Sequence, residues 1–261
     1  MDKIKIADRV WLWGHPKNSC KAYAGAATDT FVTPAECARD FGFTNVYYVP
    51  FSHPMDIVSL SKDQEGIKKT GLSVETWGNA GADKMDETFK LIPLFSNLNR
   101  LVFDDFVSEK AHPHIITSGS VTIPQLKEYR DRIHAAGLEM WVVYYQAQLD
   151  MPVEEYLQVF DGVSFWFWHE PSAEEFDKYS KAFIDKTPGK RRLIGCYLWD
   201  FGRRKQATAE LVRYQLDENK KLMEKGLIEG VVLHNNDFGG LGYAAYEEAR
   251  SWMHEHKDEW I

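Results

Sequence analysis

A chain of 261 residues that is 44% hydrophobic and 27% charged has the length and make-up of one large folded α/β domain, which argues against disorder and leaves little room for a second domain. A net charge of -8 with no basic stripe argues against nucleic acid as a partner, because phosphate recognition needs clustered Lys and Arg. Cys20, Cys37 and Cys196 are odd in number and widely spaced, which argues against a disulfide framework or a thiolate zinc site.

Short apolar runs alternate with amphipathic stretches along the whole chain, the pattern of parallel βα units. The first strand is predicted from Arg9 to Trp13, closing at Gly14 and His15. A helix then opens at Thr33, Pro34 and Glu36, where Thr33 and Glu36 match a capping box. The second strand runs from Asn45 to Phe51, with its helix from Pro54 onward, and a weaker third strand spans Leu72 to Trp77. A helix from Ala82 to Phe95 leads into the fourth strand, Asn99 to Val107, an apolar run interrupted by Asp104 and Asp105. After a loop holding His112 and His114, Thr122 and Pro124 open a helix, and Leu138 to Gln146 forms the fifth strand. Pro152 starts a short helix. The sixth strand is read as Gly162 to Glu170, the seventh as Arg192 to Phe201, and the eighth as Ile228 to Asp237, with a last helix from Gly242 towards Ile261.

Eight strand-helix pairs without a Gly, Ser or Pro-rich linker predict a single-domain (β/α)8 barrel over residues 1–261, since barrels of roughly 250 residues are common. An open dinucleotide-binding sheet lacks its fingerprint: no GxGxxG follows the first strand and no GxxxxGK[ST] occurs.

Barrels of this kind carry their active sites at the C-terminal strand ends. There the sequence places Trp13 and His15, Tyr48 and His53, Glu75 and Trp77, Asp104 and Asp105, Tyr145 and Gln146. It continues with Trp168, His169 and Glu170, then Trp199 and Asp200, then His234, Asn235, Asn236 and Asp237. Sugars stack their C–H faces on aromatic rings and exchange hydrogen bonds with Asp, Glu, Asn and His, so this mixture points to a carbohydrate site. Cleaving a glycosidic bond needs two carboxyl groups flanking the scissile oxygen. Glu170 is the expected general acid, Asp105 or its rival Asp104 the opposing carboxylate, and Asp200 the next candidate. Trp13, His15, Tyr48, His53, Trp77, Tyr145, Gln146, Trp168, Trp199, Asn235, Asn236 and Asp237 are the expected substrate-binding residues.

No cofactor or metal is expected. His112 and His114 have metal-like spacing but stand in a loop without neighbouring ligands, and Arg203, Arg204 and Lys205 read as a solvated loop able to grip an anionic substituent. The opening residues lack the apolar run of a signal peptide, and no stretch approaches the roughly 18 apolar residues of a membrane span. The chain as given is therefore expected to be soluble and cytoplasmic, or secreted if a leader has been removed; its oligomeric state is left open.

The segments FDDF (103–106), WVVYYQAQLD (141–150), FDGVSFWFW (160–168) and LIGCYLWDFGRRK (193–205) resemble a group of bacterial glycoside-hydrolase-like barrels of unassigned substrate. The resemblance covers most of the chain from the fourth strand onward and implies a glycosidase. A strand-four aspartate with a strand-six carboxyl looks like the α-galactosidase-like clan, and a strand-four and strand-seven pair looks like the larger clan of β-glycosidases. This chain has Asp where the β-glycosidases have Glu on strand four, and Glu where the other clan has Asp on strand six. The alternatives are a metal-dependent sugar isomerase or epimerase, which also gathers His, Asp and Glu at strand ends, and a non-catalytic carbohydrate-binding barrel.

Overall fold

Period-two alternation of large apolar residues builds the strands, and capping signals set where the helices begin. A computed structural model describes residues 3–19, 32–50, 54–75, 82–107 and 121–261. Eight strands, β1 (Val10–Gly14), β2 (Asn45–Tyr48), β3 (Lys69–Glu75), β4 (Leu98–Asp104), β5 (Glu139–Tyr145), β6 (Gly162–Trp166), β7 (Arg191–Tyr197) and β8 (Gly230–His234), pair in parallel with their sequence neighbours, and β8 closes on β1. Between them run α1 (Pro34–Phe41), α2 (Pro54–Lys62), α3 (Ala82–Leu91), α4 (Ile123–Ala135), α5 (Glu154–Leu157), α6 (Ala173–Lys186) and α7 (Ala209–Glu224), with α8 (Ala244–His256) last. The expected (β/α)8 barrel is what the chain forms. Among the described residues no helix is long and apolar enough to cross a membrane.

The capping box at Thr33 and Glu36 is present, and two more start α4 (Thr122 with Gln125) and α6 (Ser172 with Glu175). Each satisfies backbone N–H groups that the first turn leaves unpaired, worth about 1 kcal/mol.

Strand parity sorts the core into two shells. One residue set, including Val10, Leu12, Val46, Tyr48, Leu101, Phe103, Tyr144, Phe165, Ile194 and Cys196, packs between barrel and helices. The alternate set, Trp11, Trp13, Tyr47, Val102, Trp141, Trp166, Tyr197 and Val232, fills the lumen. Rings this large fit only because glycines face them: a Cβ on Gly195 would stand 2.1 Å from the Trp166 ring, and one on Gly71 2.2 Å from Tyr47.

The floor of the lumen is a charged plug. The Arg100 guanidinium lies between the rings of Trp11 and Trp141, 4.2 and 4.3 Å from their centroids, and donates to the Tyr47 hydroxyl at 3.2 Å. It pairs with Glu139 at 3.3 Å and Glu229 at 3.7 Å, and Arg191 bridges the same two carboxylates from outside. The barrel is therefore sealed below, and any ligand enters from the strand ends.

Five strands end three or more residues earlier than the sequence suggests, β2 at Tyr48 and β8 at His234 among them. β4 stops at Asp104, β6 at Trp166 and β7 at Tyr197, after which Trp199–Asp200 forms a small antiparallel pair with Lys205–Gln206. These early ends decide which of the expected site residues face the lumen.

Candidate active site

β4 and β5 bring the acidic centre together. Val102 and Arg100 share the inward parity of β4, and Asp104 continues it to the mouth. Asp105 begins the turn with a left-handed backbone (φ 48°), a conformation that Asp tolerates better than most residues. Its N–H donates to Asp104 Oδ1 at 3.0 Å. The early end of β4 thus lets both carboxylates approach one side of the opening, where strict alternation would have separated them.

Tyr145, at the end of β5, donates its hydroxyl to Asp104 Oδ1 at 3.4 Å and also interacts with Asp105. Gln148 holds it there: its Oε1 accepts from Tyr145 N at 2.9 Å and its Nε2 donates to the Val107 carbonyl at 2.8 Å, tying the β5 end to the β4 loop. Burial, and then the charge of Asp104, push the Tyr145 phenol well above its ordinary range; the same two causes and Asp105 do so for Tyr197. Both phenols keep their protons, and that of Tyr145 is donated to Asp104.

Trp168 stands above them, 52% exposed, with its ring edge-on to Tyr145 at 5.9 Å and tilted against Phe201 at 6.0 Å. Its carbonyl accepts from Gly202 N at 3.0 Å, which fixes the β6 loop to the β7 loop. Gln146 lies half-buried beside Tyr145. Trp13 packs edge-on against Trp166 at 5.5 Å inside the lumen, so it supports the mouth from below.

Across the mouth, His15 and His234 face each other with 3.2 Å between their Nε2 atoms. Their tautomers follow from Asn235. Its Oδ1 accepts from Asp237 N at 2.7 Å, so its amide NH2 is the group 3.2 Å from His234 Nδ1. His234 therefore carries its proton on Nε2 and donates it to His15. Burial lowers His15 to about 3, and burial with the charge of His15 lowers His234 well below its ordinary value, so both rings are neutral near neutral pH. A folded pKa below the unfolded 6.5 means the unfolded chain binds protons that the folded chain refuses. The stability this supplies is whole above 6.5 and drains away as pH falls towards 3. Thermal melts over that window are expected to show a falling Tm, with a shallower slope in a His15→Gln, His234→Gln double variant. Identical slopes would show that the pair does not titrate this way.

Several expected site residues are engaged elsewhere. Glu170 is buried, and its Oε1 accepts from the backbone N and hydroxyl of Thr208 at the start of α7, near Cys196 of the outer shell. β6 ends four residues before it, and the loop carries it to the start of the neighbouring helix. Asp200 is fully buried: Oδ1 accepts from Arg203 N at 2.7 Å and Oδ2 pairs with the Arg203 guanidinium at 3.0 Å. It closes the β7 loop, and Arg203 serves that loop as well, donating to the Glu170 carbonyl. Trp199 stacks on Phe238 and Tyr243 at 6.0 and 5.9 Å, outside the lumen. Tyr48 faces the helices, with its hydroxyl on the Asp63 carbonyl, because parity turns Tyr47 inward in its place.

Asn235, Asn236 and Asp237 are buried, and the last two tether the β8 loop to the β1 loop. Asn236 Oδ1 accepts from His15 N at 2.8 Å, and Asp237 accepts from Asn18 N and the Ser19 hydroxyl at 3.1 and 2.9 Å. His53 and Trp77 lie outside the described residues, as do Cys20, His112 and His114. Among the described residues no three His, Cys, Asp or Glu side chains converge as metal ligands would. Tyr197, Trp166, Phe201 and Gln148 belong to the mouth although sequence reading passed over them. Inward parity on β6 and β7 points to Trp166 and Tyr197, whereas nothing local marks Gln148.

No protein-family model matches the chain, and no curated protein matches it. Solved structures do. The chain is similar to the glycoside hydrolase domain of PgaB (BpsB) from Bordetella bronchiseptica, at 12% identity over 94% of this chain and 98% of that one, with a TM-score of 0.58. It is similar to the xylanase-alpha-amylase inhibitor protein XAIP-I, solved in complex with trehalose, at 11% identity over 93% and 98%, with a TM-score of 0.58. A glycoside hydrolase family 17 beta-1,3-glucanosyltransferase from Rhizomucor miehei matches at 13% identity over 87% and 86%, with a TM-score of 0.50. At these identities the likeness establishes the architecture, a closed parallel (β/α)8 barrel, and leaves chemistry to the site.

Proposed function

We propose that this barrel acts on carbohydrate and cleaves or transfers a glycosidic bond at its strand-end mouth. One observation carries the reading: a half-exposed tryptophan, Trp168, is held by Tyr145, whose hydroxyl binds the Asp104 carboxylate. An aromatic platform joined to a carboxylate is what a sugar ring needs, its C–H face on the indole and its anomeric carbon towards the acid. The glycoside hydrolases among the similar structures agree with this, as does the resemblance of FDDF and LIGCYLWDFGRRK to glycoside-hydrolase-like barrels. In this reading Asp104 acts on the anomeric centre, Asp105 and Tyr145 hold it in place, and the protonated Tyr197 donates to sugar hydroxyls.

A second reading, binding without cleavage, has its own support. The carboxylates of Glu170 and Asp200 are both occupied by loop hydrogen bonds, and one of the similar barrels is an inhibitor protein. A panel of nitrophenyl glycosides and unlabelled oligosaccharides, followed by product analysis and calorimetry, separates the two. Cleavage supports the first; binding without product after long incubation supports the second; neither cleavage nor binding overturns both. Trp168→Ala is expected to weaken sugar affinity roughly two- to tenfold, the worth of an aromatic stacking contact of about 0.5–1.5 kcal/mol, and unchanged affinity would remove Trp168 as the platform.

A further inference from the structure

Trp168 comes from the β6 loop and Phe201 from the β7 loop, and their rings lie 6.0 Å apart at an interplanar angle of 37°. Two rings carried by separate loops keep a fixed relation only if the loops are joined. Three joints are present. Gly202 N donates to the Trp168 carbonyl at 3.0 Å. The Thr208 backbone N–H and hydroxyl donate to the Glu170 carboxylate, which fixes the β6 loop to the start of α7. Lastly, a single nitrogen of Arg203, Nη1, donates both to the Glu170 carbonyl and to Asp200 Oδ2, each at 3.0 Å. Glu170 follows Trp168 by two residues and Asp200 directly precedes Phe201, so this last joint acts close to both rings.

Burial explains why the arginine stays in place. Asp200 is fully buried, and a carboxylate out of water needs a cation and hydrogen-bond donors. Arg203 supplies both, through its backbone N–H at 2.7 Å and its guanidinium. Asp200 is itself fixed by the antiparallel pairing of Trp199–Asp200 with Lys205–Gln206, whose turn begins at Phe201. The two loops also meet without room to spare: a Cβ on Gly202 would stand 3.0 Å from the His169 Cβ and 3.5 Å from the Trp168 ring. The Arg203 side chain is 51% exposed, so its own burial does not demand this arrangement. What its Nη1 maintains is the spacing between the Trp168 loop and the Phe201 loop.

Resting on the carbohydrate reading above, we propose that Arg203 is a positioning residue: by bridging Asp200 and the Glu170 carbonyl it holds Trp168 and Phe201 at the separation and tilt that receive a sugar face. It acts through the indole and makes no contact with the sugar. Asp200 and Glu170 then serve as anchors of the platform. Stacking on a platform favours ground state and transition state alike, so losing the bridge shows in Kd and KM and leaves kcat in place. Because one nitrogen makes both bonds, a lysine Nζ with its three N–H groups can take over the task.

The test measures calorimetric affinity and steady-state kinetics with the oligosaccharide that the panel shows to bind most tightly. Arg203→Met leaves Asp200 buried without its cation, so the Asp200→Asn, Arg203→Met double variant, which removes the charge together with its partner, is measured beside it. Both are expected to weaken binding and raise KM roughly two- to tenfold, no more than loss of the platform itself, with kcat within about twofold of wild type. Arg203→Lys is expected to bind within about twofold of wild type. Added to Trp168→Ala, the Arg203 changes are expected to cause no further loss, since a residue that acts through the indole has nothing left to act on. Acrylamide quenching of tryptophan fluorescence reads the same link without sugar: quenching is expected to rise in both Arg203→Met variants, and that rise to vanish in the Trp168→Ala background. Unchanged affinity, unchanged quenching, or losses that add to that of Trp168→Ala would overturn the assignment of Arg203 and leave the carbohydrate reading standing. A wild type that binds none of the panel would overturn both.

Discussion

Asp104→Asn is expected to lower kcat/KM on the cleaved glycoside by about 10²–10⁴-fold while leaving Tm nearly unchanged. The substitution removes the charge but keeps an oxygen able to accept from Asp105 N and Tyr145, so the turn and the β5 end have no reason to move. Asp105→Asn is expected to cost much less, about tenfold, since Asp105 supports its neighbour through its backbone and Asn adopts the left-handed conformation just as readily. Steady-state kinetics beside thermal melts decide the matter. If the two variants lose activity equally, or Asp105→Asn loses more, the roles given to the two carboxylates are reversed or shared. If neither loses activity, the end of β4 is not the reacting centre.

The largest effect on stability is expected at Arg100. It is 1% exposed, enclosed by Trp11 and Trp141, and paired with Glu139 and Glu229. Removing one member of a buried charge cluster costs about 3–5 kcal/mol, because the partners are left under-compensated and the rings lose their filling. Arg100→Ala should therefore lower the urea midpoint markedly and Tm by roughly 10 °C. Arg100→Met should cost less than Arg100→Ala, since it keeps the volume between the two indoles, and Arg191 still neutralises both carboxylates. A loss below about 1 kcal/mol for Arg100→Ala would mean that the plug contributes little and that the aromatic layers alone hold the floor.

The two expectations concern opposite ends of one lumen, and parity explains why. Residues two apart along a strand line the same wall, so β4 presents Arg100, Val102 and Asp104 to the interior in turn. Its first inward residue seals the barrel and its last meets the ligand. The division is the usual one for this architecture, with stability at the N-terminal face and chemistry at the C-terminal face.

Much of this was legible in the order of residues. Eight apolar runs with amphipathic stretches between them specify a closed barrel, and Thr33, Thr122 and Ser172 each sit three residues before a Glu or Gln that completes a helix start. These are local signals, carried by contacts within a few residues, and a linear reading captures them. The acidic end of β4 and the aromatic end of β6 were visible in the same way, as polar or exposed groups interrupting apolar strands.

What only the tertiary structure decided is the destination of each strand-end side chain. Tyr48 and Tyr47 differ by one position, yet one faces the helices and the other the lumen. Glu170 and Asp200 read like catalytic carboxylates; Glu170 is claimed by Thr208, 38 residues further on, and Asp200 by a loop that turns back on itself at Arg203. Asn236 and Asp237 reach more than 200 residues back to the β1 loop. Conversely, the backbones of Glu75 and Asp104, 29 positions apart, become neighbours through strand register alone. A carboxylate takes whichever donors surround it, and for a residue just past a strand those donors come from chain folded in from afar. Composition and periodicity therefore specify the barrel and the kind of groups at its rim, while the points where β4, β6 and β7 stop determine which of those groups meet.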